Sequence, residues 1–253
     1  SMEGASDQLL VSGFYNTVNI SGTDGTSRLY GYGHTVSVSS SNTTQTLYAY
    51  NDTIGVSGNG LTLNFITDPN PGNPSGSNHL TVTGSGDTIS LVGPQNTVDF
   101  TAYSTSLSLT LSSSTANVTG FNDTVAVAGG SNTINVSGDN TSLTLSGTND
   151  SVTLSGVNDT LVFGSNNTNL SVTSTNNTIQ LTGGNDVVTI SGDNNAVAFS
   201  ASNTSLTLTA SNSLNAYQVN NSIDLLGSND SVTLATHNER VTVIGDNDTV
   251  VVA

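Results

Sequence analysis

The sequence predicts an all-β chain wound as a parallel β-solenoid (β-roll-like), with about 18 residues per coil and two opposed parallel sheets. Three observations carry this. Apolar residues recur every nine positions, at Val125, Ile134, Leu143, Val152, Leu161, Leu170, Ile179, Val188, Val197 and Leu206. Each is followed two residues later by a second: Val127, Val136, Leu145, Leu154, Phe163, Val172, Leu181, Ile190, Phe199 and Leu208. Helix formers are scarce, with no Lys, two Glu and one Met, while Val, Ile and Thr abound.

Each unit reads apolar, polar, apolar, Ser/Thr, Gly, any, Asn, Asp/Asn/Thr, Ser/Thr. The period-two part is a strand with one face buried. The rest, as in Gly147-Thr148-Asn149-Asp150, is made of turn formers that tolerate positive φ. One nine-residue unit cannot bury its apolar face alone. Two back to back can, so the coil is two units and the chain holds roughly 14 coils.

The phase runs back through Leu107, Val98, Ile89 and Leu80, and resumes after a slip of one residue at Ile223, Val232, Val241 and Val250. This divides one continuous domain into N-terminal coils over 1–65 with a tyrosine patch, a Pro/Gly/Asn-rich loop over 66–79 that interrupts the array, and a regular solenoid over 80–253. Asn precedes the first apolar position by three residues in nearly every unit. Asn149, Asn158, Asn167, Asn176, Asn185 and Asn194 are expected to stack as a structural amide ladder at the corners.

Composition bounds function. Lys+Arg is 2 against Asp+Glu 18, a net charge of -16. Such a chain repels nucleic acid and anionic membranes. Without Cys there is no disulfide, thiolate metal site or Cys nucleophile. No apolar run approaches the roughly 20 residues that span a bilayer. His34, His79 and His237 show no metal-ligand spacing, and neither a G-x-S-x-G nor a P-loop occurs. The chain is not expected to be an enzyme or to need a cofactor.

The repeat resembles the RTX β-roll of exported bacterial proteins, whose motif is G-G-x-G-x-D-x-U-x. The matching part is D-x-U, at Asp123-Thr124-Val125, Asp150-Ser151-Val152, Asp159-Thr160-Leu161, Asp186-Val187-Val188, Asp230-Ser231-Val232 and Asp248-Thr249-Val250. The motif is degenerate: one Gly per corner remains, as in Gly156-Val157-Asn158-Asp159. The resemblance implies an extracellular or cell-surface location and calcium held between stacked corners. The residues argue against calcium. Asp alternates with neutral residues at 18-residue spacing, which avoids the repulsion of stacked carboxylates without metal. Only Asp230 and Asp248 stack directly, and they are the one candidate metal pair.

Tyr30 and Tyr48 are 18 residues apart, as are Tyr32 and Tyr50, so both pairs should stack on neighbouring coils. Counted back past the slip, Tyr103 falls on the corner row of Tyr32 and Tyr50. These five tyrosines are the candidate ligand-binding residues, a platform for sugar rings. The outward Ser/Thr faces, as in Ser151/Thr153/Ser155 and Ser205/Thr207/Thr209, suit ice or a crystalline surface. The terminal Val250-Val251-Val252-Ala253 stops in phase without a polar cap, which implies a longer array and end-to-end self-association. The leading expectation is a non-catalytic structural or adhesive repeat segment of an exported bacterial surface or extracellular-matrix (biofilm) protein. The alternatives are a carbohydrate-binding module and an ice- or crystal-binding solenoid.

Overall fold

A computed structural model describes residues 8–22, 25–65, 76–192, 194–200, 202–209, 222–225, 228–235, 240–244 and 246–252. Among them every regular element is a strand, and all strand pairings are parallel. The chain forms two compact units, Ser1–Asn132 and Thr133–Ala253. Each unit is a β-solenoid, in which alternate strands along the chain join one of two parallel sheets.

In the first unit, Leu107 and Leu109 pair with Val125 and Val127. In the second, Val152 and Leu154 pair with Leu170 and Val172. The 18-residue coil is thus built from two nine-residue units. The period-two alternation is literal: strand Ser142–Thr148 alternates exposed and buried through Leu145. In the inner coils both apolar positions of a unit lie in the core, Leu161 and Phe163 being fully buried, whereas Val243 and Val250 of the last strands are exposed. A strand of this length buries too little alone, so each coil depends on its neighbours.

The corner is set by one backbone conformation. The residue three before the first apolar position has positive φ, at 59° in Asn149 and Asn158 and 55° in Asn167. Asn enters this left-handed region more readily than other side-chain-bearing residues, which is why it recurs there. Gly60 and Gly86, both at 64°, hold the same place.

Twice the register lengthens. Thr53 pairs with His79 and Thr62 with Thr88, and hydrogen-bonded partners there are 26 residues apart instead of 18. The same happens where Ser205 pairs with Ser231. Eight residues are therefore inserted at each place. The spacing read in the sequence as a slip of one residue in the repeat is an eight-residue insertion, which places the following units on the opposite sheet from the one that counting by nine gives. Most of the expected 66–79 loop, residues 66–75, lies outside the described residues, whereas Gly76 to His79 have rejoined the coil. A third irregularity lies near the start. Strand Gly25–Tyr32 meets strand Thr44–Tyr48 with Arg28 opposite Tyr48, an offset of twenty residues.

Candidate functional site

The most regular polar construction follows directly from the corner. The left-handed residue and the next one both point their N–H groups toward the following coil. The first finds a backbone carbonyl, as Asn158 N–H donates to Thr175 O at 3.1 Å. The second has no backbone acceptor, and a buried amide must have one. A side chain supplies it. In the first unit Leu61 N–H donates to Asp87 Oδ1 at 2.8 Å, Asp87 N–H to Thr105 Oγ1 at 3.3 Å, and Thr105 N–H to Asp123 Oδ1 at 2.9 Å. In the second, Thr141 N–H donates to Asp159 Oδ1 at 2.9 Å, Asp159 N–H to Asn177 Oδ1 at 2.8 Å, and Asn177 N–H to Asn195 Oδ1 at 3.1 Å.

The opposite corner carries the same ladder. His34 N–H donates to Asp52 Oδ1, Asp52 N–H to Asn78 Oδ1 and Asn78 N–H to Asn96 Oδ1, at 2.8, 3.0 and 3.0 Å. His34 occupies a rung itself, its Nδ1 accepting from Asn16 N–H at 3.2 Å, so that nitrogen carries no proton.

Rungs differ in how well they use their second polar atom. Where the rung is Asn, the amide finds an acceptor: Asn96 donates to Gly93 O at 3.0 Å, Asn195 to Ser174 O at 3.1 Å and Asn177 to Ser174 Oγ. At the Thr rungs Thr105, Thr168 and Thr204 the hydroxyl donates to a carbonyl two residues back, at 3.1 to 3.3 Å, whereas the Thr141 hydroxyl is buried without a partner. Where it is Asp, one oxygen is idle at five of the described rungs, while at Asp52 the second oxygen accepts Tyr50 N–H at 3.3 Å. Oδ2 of Asp87, Asp123, Asp159, Asp230 and Asp248 is buried without a partner. Burial raises the carboxyls of Asp123, Asp159 and Asp186 to about 6, against the lowering effect of the accepted N–H. Burial raises Asp52, Asp87 and Asp230 as well.

The idle oxygen also explains the surviving glycine. A Cβ on Gly120 would lie 2.1 Å from Asp123 Oδ2 and 2.0 Å from Ala102 O of the preceding coil. Gly84 stands in the same relation to Asp87.

The buried ladder therefore runs one residue beyond the expected one. Asn149, Asn158, Asn167, Asn176, Asn185 and Asn194 are exposed, and they serve the corner through their backbone conformation. Asp230 and Asp248 do stack, joined by Asp230 N–H to Asp248 Oδ1 at 3.0 Å. The rung thus spends one Asp248 oxygen on an amide. Among the described residues no three His, Asp or Glu side chains converge as metal ligands.

The tyrosines do not form one row. Tyr50 bridges to Gly76, whereas Tyr103 bridges to Ser85, which bridges to Asn59. The eight-residue insertion puts Tyr103 on the opposite corner from Tyr32 and Tyr50. Nor do Tyr30 and Tyr48 stack: Tyr48 lies under Arg28, with the guanidinium carbon 4.9 Å from the ring centre. Tyr30, Tyr48 and Tyr50 are half-buried. Tyr32 packs against Phe14 at 4.6 Å and edge-on to Tyr15 at 5.8 Å, forming an exposed aromatic cluster. Tyr103 stacks on Phe121 at 5.3 Å with rings 5° apart. Phe14 and Phe121 each stand 18 residues from their tyrosine, a signal present in the sequence that a search for Tyr alone passes over.

One sheet of the second unit carries a nearly continuous outward row of hydroxyls, whereas the other aligns Thr144, Val162, Gln180, Ala198 and Asp224. In the second unit the register aligns Thr153, Ser171, Thr189, Thr207 and Thr233 in one row. In the first unit such a row is interrupted at His79, which bonds Asp99 at 2.7 Å. Asn117 donates to the other Asp99 oxygen at 2.8 Å, and these bonds, Asn117 first, lower the Asp99 carboxyl. No family model matches the chain, and no characterised protein matches its sequence.

Proposed function

We propose that the chain is a non-catalytic structural and adhesive repeat segment of an exported bacterial surface or matrix protein, with degenerate RTX-like corners. The observation that carries this is the rung. Corner carboxylates that would hold ions in an RTX roll are here turned inward and spent on the N–H of the preceding coil. Each coil is fastened to the next by its own residues, so coils add without any external ligand. Displaying the chain on a bacterial surface with one or two 18-residue coils removed in register tests it. A structural segment loses adhesion gradually with coil number. Loss of all adhesion on removing one particular coil would point to a dedicated binding module instead.

A carbohydrate-binding role is the second reading, favoured by the Phe14, Tyr15 and Tyr32 cluster. Tyr15 is 75% exposed and holds φ at 57°, a costly conformation for a bulky residue. That conformation is the corner's own, and what suits a sugar platform is the patch of three exposed rings.

A further inference from the structure

We infer that the open cavity over Arg28 on the first unit is a subsite for a carboxylate-bearing sugar. This rests on the carbohydrate reading and names the ligand class. The cavity is about 550 Å³, within the size range of small-ligand sites, and Gln8, Leu10, Thr26, Arg28, Thr46 and Tyr48 line it. Its cause is the irregular register. Elsewhere in the first unit the pairing offset brings one coil's outward residue opposite its counterpart in the next. Here the twenty-residue offset seats Arg28 opposite Tyr48, and the long side chains become walls around the two threonines.

The chemistry of the lining selects the ligand. The whole chain has only two Lys or Arg residues. One of them is this guanidinium, its carbon 4.9 Å from the centre of the Tyr48 ring. A guanidinium fork matches a carboxylate through two parallel hydrogen bonds, and its five donors serve a ligand beside other partners. Thr26, Thr46 and Gln8 offer hydroxyl and amide groups suited to sugar hydroxyls. Leu10, 67% exposed, offers an apolar wall for the ring's C–H face. The net charge of -16 opposes an anion at long range. Screening over roughly 8 Å at physiological salt confines that opposition, so the short-range fork decides.

Calorimetric titration of the full chain with an oligogalacturonate, and with the same oligomer after its carboxyls are reduced to alcohols, tests this. The acidic oligomer should bind and the reduced one should bind at least tenfold more weakly. Arg28→Gln should lose the acidic oligomer to the same degree while keeping the circular dichroism spectrum of the folded chain. Arg28→Lys should fall between, and Arg240→Gln should match the wild type. Equal binding of both oligomers, or full binding by Arg28→Gln, overturns the acidic subsite and leaves the carbohydrate reading standing. Binding of neither oligomer overturns the subsite, and the carbohydrate reading then falls only if neutral polysaccharides also fail to bind.

Discussion

Thr105 N–H donates to Asp123 Oδ1 at 2.9 Å, across 18 residues, while Asp123 Oδ2 is buried without a partner. Burial of such carboxyls, opposed by the accepted N–H, sets the pH response. Burial raises Asp123, Asp159 and Asp186 from 3.8 to about 6. A carboxyl with a raised folded pKa favours the fold in its protonated form. Its stabilisation is full below 3.8 and is lost as pH rises through about 6. Thermal melts should therefore give a Tm several degrees higher near pH 4.5 than near pH 8. Asn already fills equivalent rungs at Asn96 and Asn195, where its amide finds a carbonyl. The triple variant Asp123→Asn, Asp159→Asn, Asp186→Asn should flatten the profile and melt no lower than the wild type at pH 8. An unchanged slope would assign the pH dependence elsewhere.

The exposed asparagines act through backbone conformation, and substitutions can show it. Asn149 has φ 59° and is exposed. A β-branched residue there pays the left-handed penalty, so Asn149→Val should cost about 1–2 kcal/mol. Asn149→Gly should be close to neutral, because glycine enters that region freely. Equal losses in both variants, measured by denaturant unfolding, would restore the side-chain amide ladder that the sequence first suggested.

What could be read from the sequence follows from periodicity. Nine-residue spacing with apolar pairs fixes strands, coil length and two parallel sheets, and Leu161 and Phe163 lie where that pattern puts them. Two things were hidden. Leu63 and Leu80 are 17 residues apart, which equals one coil less a residue or one nine-residue unit plus an eight-residue insertion. Only pairing distinguishes them, and the second option moved Tyr103 to the other corner. Likewise, two adjacent polar residues such as Asn158-Asp159 offer no spacing to say which turns inward. The left-handed φ at Asn158 decides it, and Asp159 becomes the rung.

Metal removal separates the ladder from an ion-bound roll. In each rung of Asp123, Asp159 and Asp186 one carboxylate oxygen already accepts an amide. A chain whose fold does not depend on bound cations should show the same Tm with EDTA and with millimolar calcium. The second unit gives the most demanding case, since Asp230 and Asp248 stack directly and Asp248 adds to the rise of Asp230. A calcium-dependent rise in Tm that vanished in Asp248→Asn would locate an ion there, because a ligand of the native state alone must stabilise it.

Aromatic residues on opposite corners make separable predictions about polysaccharide attachment. Tyr32 touches both Phe14 and Tyr15, so its removal dismantles a three-ring surface. Tyr103 touches only Phe121 among the described aromatic rings, on the other corner of the first unit. Their rings are nearly parallel and face each other, which leaves fewer free faces for a sugar. Both tyrosines are exposed, at 40% and 49%, so either loss should cost little beyond the roughly 0.5–1.5 kcal/mol of an aromatic pair. Tyr32→Ala should weaken retention on an immobilised polysaccharide several-fold, whereas Tyr103→Ala should leave it unchanged. If both variants retain full attachment, sugar rings do not use either corner. If both weaken it equally, attachment follows exposed aromatic area and not the three-ring cluster.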